Sequence, residues 1–276
     1  MTILVTGGTG GLGHSIVSEL LKQPDAMVRV MTRTGPESAA QLGTEWAMAD
    51  LISGSGVSEA VRGVDIIVHA ASDYVVDPAH ADIKATSRLL EEAKAAGVSH
   101  LCYVSIVGID RIPLPYYGAK VACEALVRES GMSWSIFRAT QFHSLVDQII
   151  QEYSKPLLVA LLPTELRFQT VDSEEVAVEI VRAALTPKSG DVTQMCGPEI
   201  LTLGAMAKLW FRQKGKEPSV IPVHIPLQFS PAPDEGLSAD PTMWELANAY
   251  RCGYNTCTSP DKIGVTTWAN WLNSKS

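Results

Sequence analysis

Residues 2–14 read Thr-Ile-Leu-Val-Thr-Gly-Gly-Thr-Gly-Gly-Leu-Gly-His. An apolar run, Ile3–Val5, ends in glycines at 7, 10 and 13, and an amphipathic pattern of Leu12, Ile16, Val17, Leu20 and Leu21 comes directly after it. A strand, a glycine turn and a helix start together make a phosphate cradle. Gly7 permits the tight turn, Gly10 lets backbone approach a pyrophosphate, and Gly13 lets the helix pack close to the strand. The unpaired amide hydrogens of the first helical turn then face the anion. The alternative is a glycine-rich hairpin, and a glycine pattern alone is weak. Its position between a strand and a helix favours dinucleotide binding, with Gly7, Thr9, Gly10, Gly11, Leu12 and Gly13 as the cradle.

Strand and helix patterns go on alternating down the chain. Strands are expected at Ile3–Thr6, Val28–Thr32, Glu45–Met48, Ile66–His69, Leu101–Ser105 and Ser133–Arg138, with helices near 11–22, 55–62, 79–96 and 116–130. This alternation implies an α/β fold, a Rossmann-type doubly wound parallel sheet whose ligand crevice lies outside the carboxyl ends of the strands. After residue 140 the pattern loosens. Helices are expected at about 173–185, Leu203–Lys214 (after a Thr202 cap, with Gly215 ending it), Trp244–Arg251 and Thr267–Leu272, and a strand at Val192–Cys196. Five prolines between 222 and 241 mark a surface excursion. Residues 1–155 are therefore expected to form the dinucleotide-binding core. Residues 156–276 form a smaller C-terminal part that contributes the substrate pocket, within one integrated domain.

The chain has 276 residues, with 22 Lys and Arg against 30 Asp and Glu, a net charge of −8. That balance argues against a general nucleic-acid surface. The longest aliphatic run, Leu157–Leu162, falls far short of the roughly 20 residues that span a bilayer, and suits an apolar pocket or an interface. No basic leader precedes the first strand, so a cytoplasmic protein is expected. Five cysteines, at 102, 123, 196, 252 and 257, form no C-x-x-C pair and read as reduced thiols rather than as disulfides or a zinc site. The six histidines give no ligand pair, and no metal is expected.

The second strand ends Val-Arg-Val-Met-Thr-Arg, with Arg33 where a chain that prefers NAD places an acid. A guanidinium suits a 2′-phosphate, which favours NADP(H) over NAD(H); the alternative is a solvated surface arginine. Arg29 alternates with Val28 and Val30 and reads as structural. Asp50 can accept from an adenine amino group and Leu51 can cover the ring, or Asp50 can simply close a turn. Ala70 and Ala71 are small where the chain passes close to a cofactor, and His69 reads as a buried histidine satisfied by backbone.

Ser105 ends the fifth strand, and Tyr116 and Lys120 come after it at helical spacing from each other. A lysine ammonium near a phenol stabilises phenolate, and the same lysine can hold a ribose. A serine hydroxyl can fix the substrate oxygen. The alternative is an ordinary amphipathic helix. Tyr117 faces elsewhere and reads as packing. Gln141 and His143 can bond a substrate or a carboxamide and Phe142 can wall the pocket, or all three can be satisfied within the protein.

Together the glycine turn, the Arg33 strand end, Tyr116…Lys120 and the run Arg138-Ala139-Thr140-Gln141-Phe142-His143 resemble the short-chain dehydrogenase/reductase superfamily, and more narrowly its atypical NmrA-like NAD(P)H-binding members. Gly197-Pro198-Glu199-Ile200-Leu201-Thr202 and Thr267–Leu272 are similar to that group as well. The resemblance implies NADPH-dependent reduction of a small carbonyl or quinone-like compound, with Tyr116 transferring a proton, Lys120 holding the cofactor and Ser105 orienting the oxygen. It equally includes redox sensors that bind a dinucleotide and control a partner protein, and at lower rank nucleotide-sugar epimerase-like enzymes. The chain keeps Ser105, Tyr116 and Lys120, though with a shorter serine-to-tyrosine gap than is usual in single-domain members. A small-molecule substrate, no nucleic acid, no membrane, and a monomer or homodimer are expected.

Overall fold

The structure is a computed structural model, which describes residues 1–35, 43–72, 77, 79–154, 160–215, 217, 220–222 and 243–275. The proline-bearing stretch 223–242 lies outside the described residues. In chain order the first elements are β1 (Thr2–Thr6), α1 (Gly11–Leu20), β2 (Met27–Thr32), β3 (Thr44–Met48), α2 (Val57–Val61), β4 (Ile66–His69), α3 (Ala81–Ala95), β5 (His100–Ile106), α4 (Pro115–Glu129) and β6 (Trp134–Ala139). Then come α5 (His143–Ser154), β7 (Ala160–Leu162), β8 (Arg167–Phe168), α6 (Ser173–Leu185), β9 (Asp191–Cys196) and β10 (Leu201–Thr202). The last are α7 (Leu203–Gln213), β11 (Val220–Pro222), α8 (Met243–Arg251), β12 (Lys262–Ile263) and α9 (Trp268–Ser274).

Eight strands form one sheet in the order β12-β9-β6-β5-β4-β1-β2-β3. The pairs β1–β2, β1–β4, β2–β3, β4–β5 and β9–β12 are all parallel. Read from β3, the first six strands run 3-2-1-4-5-6, the Rossmann order, in which the strand order reverses beside β1. The buried run Ile66-Ile67-Val68-His69 of β4 is what a parallel strand covered on both faces requires.

The chain divides into two compact units, each drawn from separate stretches of the sequence. One comprises Met1–Ser105, Ala119–Arg138 and Ser173–Thr193, the other Ile106–Gly118, Ala139–Asp172 and Gln194–Ser276. In the first, Leu4 of β1, Ile67 of β4, Leu101 and Tyr103 of β5, Leu89 of α3 and Val127 of α4 share one core. α1 and α6 pack together, each presenting a buried aliphatic stripe such as Ile16-Val17-Leu20 and Val176-Ile180.

In the second, Val146 and Ile150 of α5 pack with Met206, Trp210 and Phe211 of α7 and with Trp268 and Trp271 of α9. The rings of Trp268 and Trp271 stack at 5.5 Å, and Trp210 meets Phe211 edge-on at 5.2 Å. The aliphatic run before Pro163 supplies β7, which pairs in parallel with β11, and Leu162 is fully buried. The cap expected at Thr202 is present, its side chain accepting an amide hydrogen from Ala205, and Thr267, expected inside the last helix, caps it by accepting from Asn270.

The cysteines require a correction. Cys196, at the end of β9, and Cys257 form a disulfide across a Cα–Cα distance of 6.3 Å, in place of the expected reduced thiols. The segment after α8 returns to the end of β9, a meeting that residues 61 apart in sequence do not announce. Cys102, Cys123 and Cys252 are free thiols.

Candidate functional site

The glycine turn has the geometry its residues imply. Gly7 has φ +71°, and a Cβ on it would lie 2.7 Å from the Cα of Ala71. A Cβ on Gly13 would lie 2.0 Å from the Gly7 carbonyl oxygen, so α1 can approach β1 this closely only without one. Gly11, by contrast, has open space beside it. Gly10 is the N-cap of α1, extended, and no side chain caps the helix. The first helical amide to find its acceptor is His14, bonded to the Gly10 carbonyl. An uncapped helix start of glycines after β1 fits a pyrophosphate. Thr9 and Gly10 are exposed, and Leu12 is half-buried.

Ala70 and Ala71 lie against this turn. The Ala71 amide donates to the Thr6 hydroxyl at 3.2 Å, and that hydroxyl sits 2.7 Å from Nδ1 of His69. His69 Nε2 lies 3.1 Å from the Thr86 hydroxyl, which itself donates to the Cys123 sulfur. A neutral imidazole with its proton on Nε2 satisfies all of these contacts. Burial, then the charge of Lys120, holds His69 down at about 3. His69 is thus buried as expected, but threonine hydroxyls satisfy it rather than backbone.

At the end of β2, Thr32 is buried and Arg33 is exposed. Arg29 is structural, donating to the carbonyls of Ala60 and Arg62 and pairing with Glu45 at 3.0 Å. Asp50 closes a turn: its Oδ1 accepts from the Ile52 amide at 2.9 Å. Hydrogen bonds from Ile52 and Ser53 lower its pKa, and Arg33 lowers it further. Leu51 is buried in the core shared by α2 and α3.

Lys120 of α4 is buried with its Nζ 3.2 Å from Asp82 Oδ2 and 5.0 Å from the centroid of the Tyr103 ring. Ser72 donates to the same carboxylate oxygen at 2.6 Å. Sequence reasoning does not find Asp82: an acid in the first turn of α3 carries no local mark of a partner on α4.

Ser105 is engaged within the protein. Its hydroxyl donates to Glu124 at 2.6 Å, and Glu124 also holds Arg138 through two bonds and Arg128 through one. Burial raises the Glu124 pKa, but the bonds from Arg138 and Ser105 outweigh it and leave the carboxyl lowered. The serine thus belongs to a buried ion cluster with Glu124, Arg128 and Arg138.

Tyr116 is half-buried near the start of α4, its ring 5.8 Å from that of Tyr117. Tyr117 is buried, as a packing residue should be, and burial raises its pKa. Gln141 is likewise internal: its Nε2 donates to the Tyr117 hydroxyl at 3.4 Å and its Oε1 accepts from Asn255 at 3.1 Å. His143 sits at the start of α5, accepting from Thr170 at 2.7 Å and donating Nε2–H to the Thr266 carbonyl at 3.0 Å. Gln141 and His143, expected at the substrate pocket, both have protein partners. Phe142 is half-buried and bridges to Val171.

Comparison with known proteins agrees with this geometry. The NAD(P)H-binding family matches residues 7–156, more than half of the chain. Photosystem II assembly factor Ycf39 of Cyanophora paradoxa is 29% identical over 164 residues, covering 57% of this chain and 50% of that protein. Quinone oxidoreductase 2 of Escherichia coli is 28% identical over 141 residues, covering 49% and 47%. The match thus spans about half the length of these curated relatives. A structure of the Escherichia coli NADPH-dependent quinone oxidoreductase complexed with NADPH superposes with a TM-score of 0.77 at 20% identity, covering 99% of both chains. Triphenylmethane reductase of Citrobacter sp., complexed with NADP(H), gives 0.70 at 20% identity over 81% of this chain and 80% of that one. On its matched residues, the chain belongs to the NAD(P)H-binding family.

Proposed function

We propose that the protein is an NADPH-dependent oxidoreductase that reduces a small carbonyl or quinone-like compound. The observation that carries this reading is the uncapped glycine start of α1, pressed so tightly onto Gly7 that no side chain fits at position 13. The first-turn amides of α1 hold the pyrophosphate, and Arg33 at the end of β2 binds the 2′-phosphate. When bound, NADPH supplies a hydride. Lys120 holds the nicotinamide ribose, its position fixed by Asp82. Tyr116, four residues earlier on α4, donates a proton to the substrate oxygen as the hydride reaches the substrate. The names of the quinone oxidoreductase and triphenylmethane reductase relatives support the reaction class.

A second reading, a dinucleotide-binding regulator without turnover, gains from the bond that engages the Ser105 hydroxyl with Glu124. Incubating the protein with NADPH and a panel of quinones, aldehydes and ketones, and monitoring nicotinamide absorbance, separates the two. Turnover with any member of the panel supports the oxidoreductase. Silence across the panel with NADPH binding retained supports the regulator.

A further inference from the structure

The disulfide between Cys196 and Cys257 lies outside the proposed chemistry, yet it is set among buried hydrogen bonds of the second unit. Cys196 is fully buried at the end of β9, while Cys257 is half-buried in the turn after α8. The Cys257 amide donates to Gln169 Oε1 at 2.9 Å, and Gln169 Nε2 donates to the carbonyl of Gly197, the residue after Cys196. Two residues before Cys257, the fully buried Asn255 donates to Gln141 Oε1 and, at 2.8 Å, to the Arg167 carbonyl. Tyr254 takes the guanidinium of Arg111 over its ring at 4.0 Å, and its carbonyl oxygen lies where a Cβ on Gly108 would fall. The same turn therefore grips Gln141 and the 106–118 segment that carries Tyr116 and Tyr117.

We propose that Cys196–Cys257 is a thiol–disulfide exchange site for a dithiol reductant, and that its opening releases the 253–258 turn from Gln141 and from residues 106–118. The reductant's thiolate attacks the Cys257 sulfur, the more exposed of the two, forming a mixed disulfide and expelling the Cys196 thiolate, which takes up a proton. The reductant's second thiolate then attacks its own bonded sulfur and releases Cys257, which is protonated in turn. The dithiol ends as a disulfide and the protein as two thiols. With the link gone, the turn is held by hydrogen bonds, the Arg111–Tyr254 stack and the packing of Tyr254 on the Ile109, Ile112, Tyr117 and Ala249 cluster, contacts that open locally more readily than a cross-link.

The full chain is equilibrated, folded, in mixtures of reduced and oxidised dithiothreitol, quenched with acid, and alkylated in denaturant. The oxidised end is expected to show three free thiols and a peptide linking residues 196 and 257, the reduced end five. Five thiols in every mixture, or three even in fully reduced dithiothreitol, overturns the exchange site. Hydrogen exchange then tests the release. Amides of 253–258 and 106–112 are expected to exchange about tenfold faster in the reduced form, as for a locally opening segment. The Cys196→Ser/Cys257→Ser double variant is expected to exchange fast in both forms, and Cys252→Ser to respond like the parent. Equal exchange in the two redox forms overturns the coupling. None of these readouts requires turnover or NADPH, so they stand apart from the fate of the proposed reductase.

Discussion

Lys120 Nζ lies 3.2 Å from the Asp82 carboxylate, and both side chains are all but removed from solvent. A buried pair of this kind is costly to break by halves. Asp82→Asn removes the charge that offsets the buried ammonium, and the unfolding free energy is expected to fall by about 3–5 kcal/mol. Replacing both partners, with Asp82→Asn and Lys120→Met, is expected to recover much of that loss. Urea unfolding of the three proteins checks it, and a double variant no better than Asp82→Asn would mean that the pair is not a unit.

The cradle makes a sharper contrast. Gly13→Ala places a methyl 2.0 Å from the Gly7 carbonyl oxygen, so α1 must move off β1. NADPH binding is expected to be lost and the melting temperature to drop. Gly11→Ala meets nothing within 4 Å and is expected to melt within a few degrees of the parent. Nicotinamide fluorescence and thermal melting read both. Wild-type NADPH affinity in Gly13→Ala would remove the cradle from the site.

His69 gives the acid side of stability its slope. Its folded value of about 3 lies below the ordinary histidine value of 6.5. Below pH 6.5 the unfolded chain binds a proton that the folded chain refuses, so stability present above 6.5 is lost as pH falls. The loss for one such group is about 1.4 kcal/mol per pH unit, continuing toward pH 3. His100, between Ser133 and Ser135 with its pKa lowered by burial, adds to the same limb. His69→Asn is expected to flatten the pH 6–4 stability slope by about one proton. Urea midpoints measured across that range decide it, and an unchanged slope would mean that His69 titrates normally.

The alternating half of the fold is legible because parallel strands buried on both faces are written as apolar runs. β4 spans the expected Ile66–His69, and α6 the expected 173–185. The C-terminal half is less legible. α5 escapes the sequence pattern, although His143, Val146, Ile150 and Ser154 form a buried stripe, because a histidine and a serine at its ends hide the period. Side-chain direction at a strand end is harder still. Ser105 occupies the expected position, but its hydroxyl is bonded to a glutamate 19 residues later, and nothing local in the sequence says so. Lys120 stands out by its spacing from Tyr116. Asp82 does not, because an ion pair between two helices leaves no periodic trace.

Arg33 should decide between the two dinucleotides. It is exposed at the end of β2, where a fork of donors suits a phosphate. Arg33→Ala is expected to weaken NADPH binding by about tenfold to a hundredfold, the usual worth of a charge-assisted contact, with NADH binding little changed. The NADPH affinity of the parent is also expected to fall with added salt more steeply than that of the variant. Titration by fluorescence at two salt concentrations measures both. Parallel losses for the two nucleotides would assign the 2′-phosphate to another group.

Tyr116→Phe tests the chemistry with the smallest change. The ring and its contact with Tyr117 at 5.8 Å remain, so folding and NADPH binding are expected to be retained. The phenol proton is removed, and a general acid contributes about 10²–10⁴-fold to a rate. With whichever quinone or carbonyl proves to be turned over, kcat is expected to fall by about that factor while the NADPH dissociation constant stays put. Tyr117→Phe supplies the control: it removes a hydroxyl bonded to Gln141 and is expected to lower stability more than kcat. If instead Tyr117→Phe abolishes turnover and Tyr116→Phe does not, the two tyrosines exchange roles and the donor is the buried one.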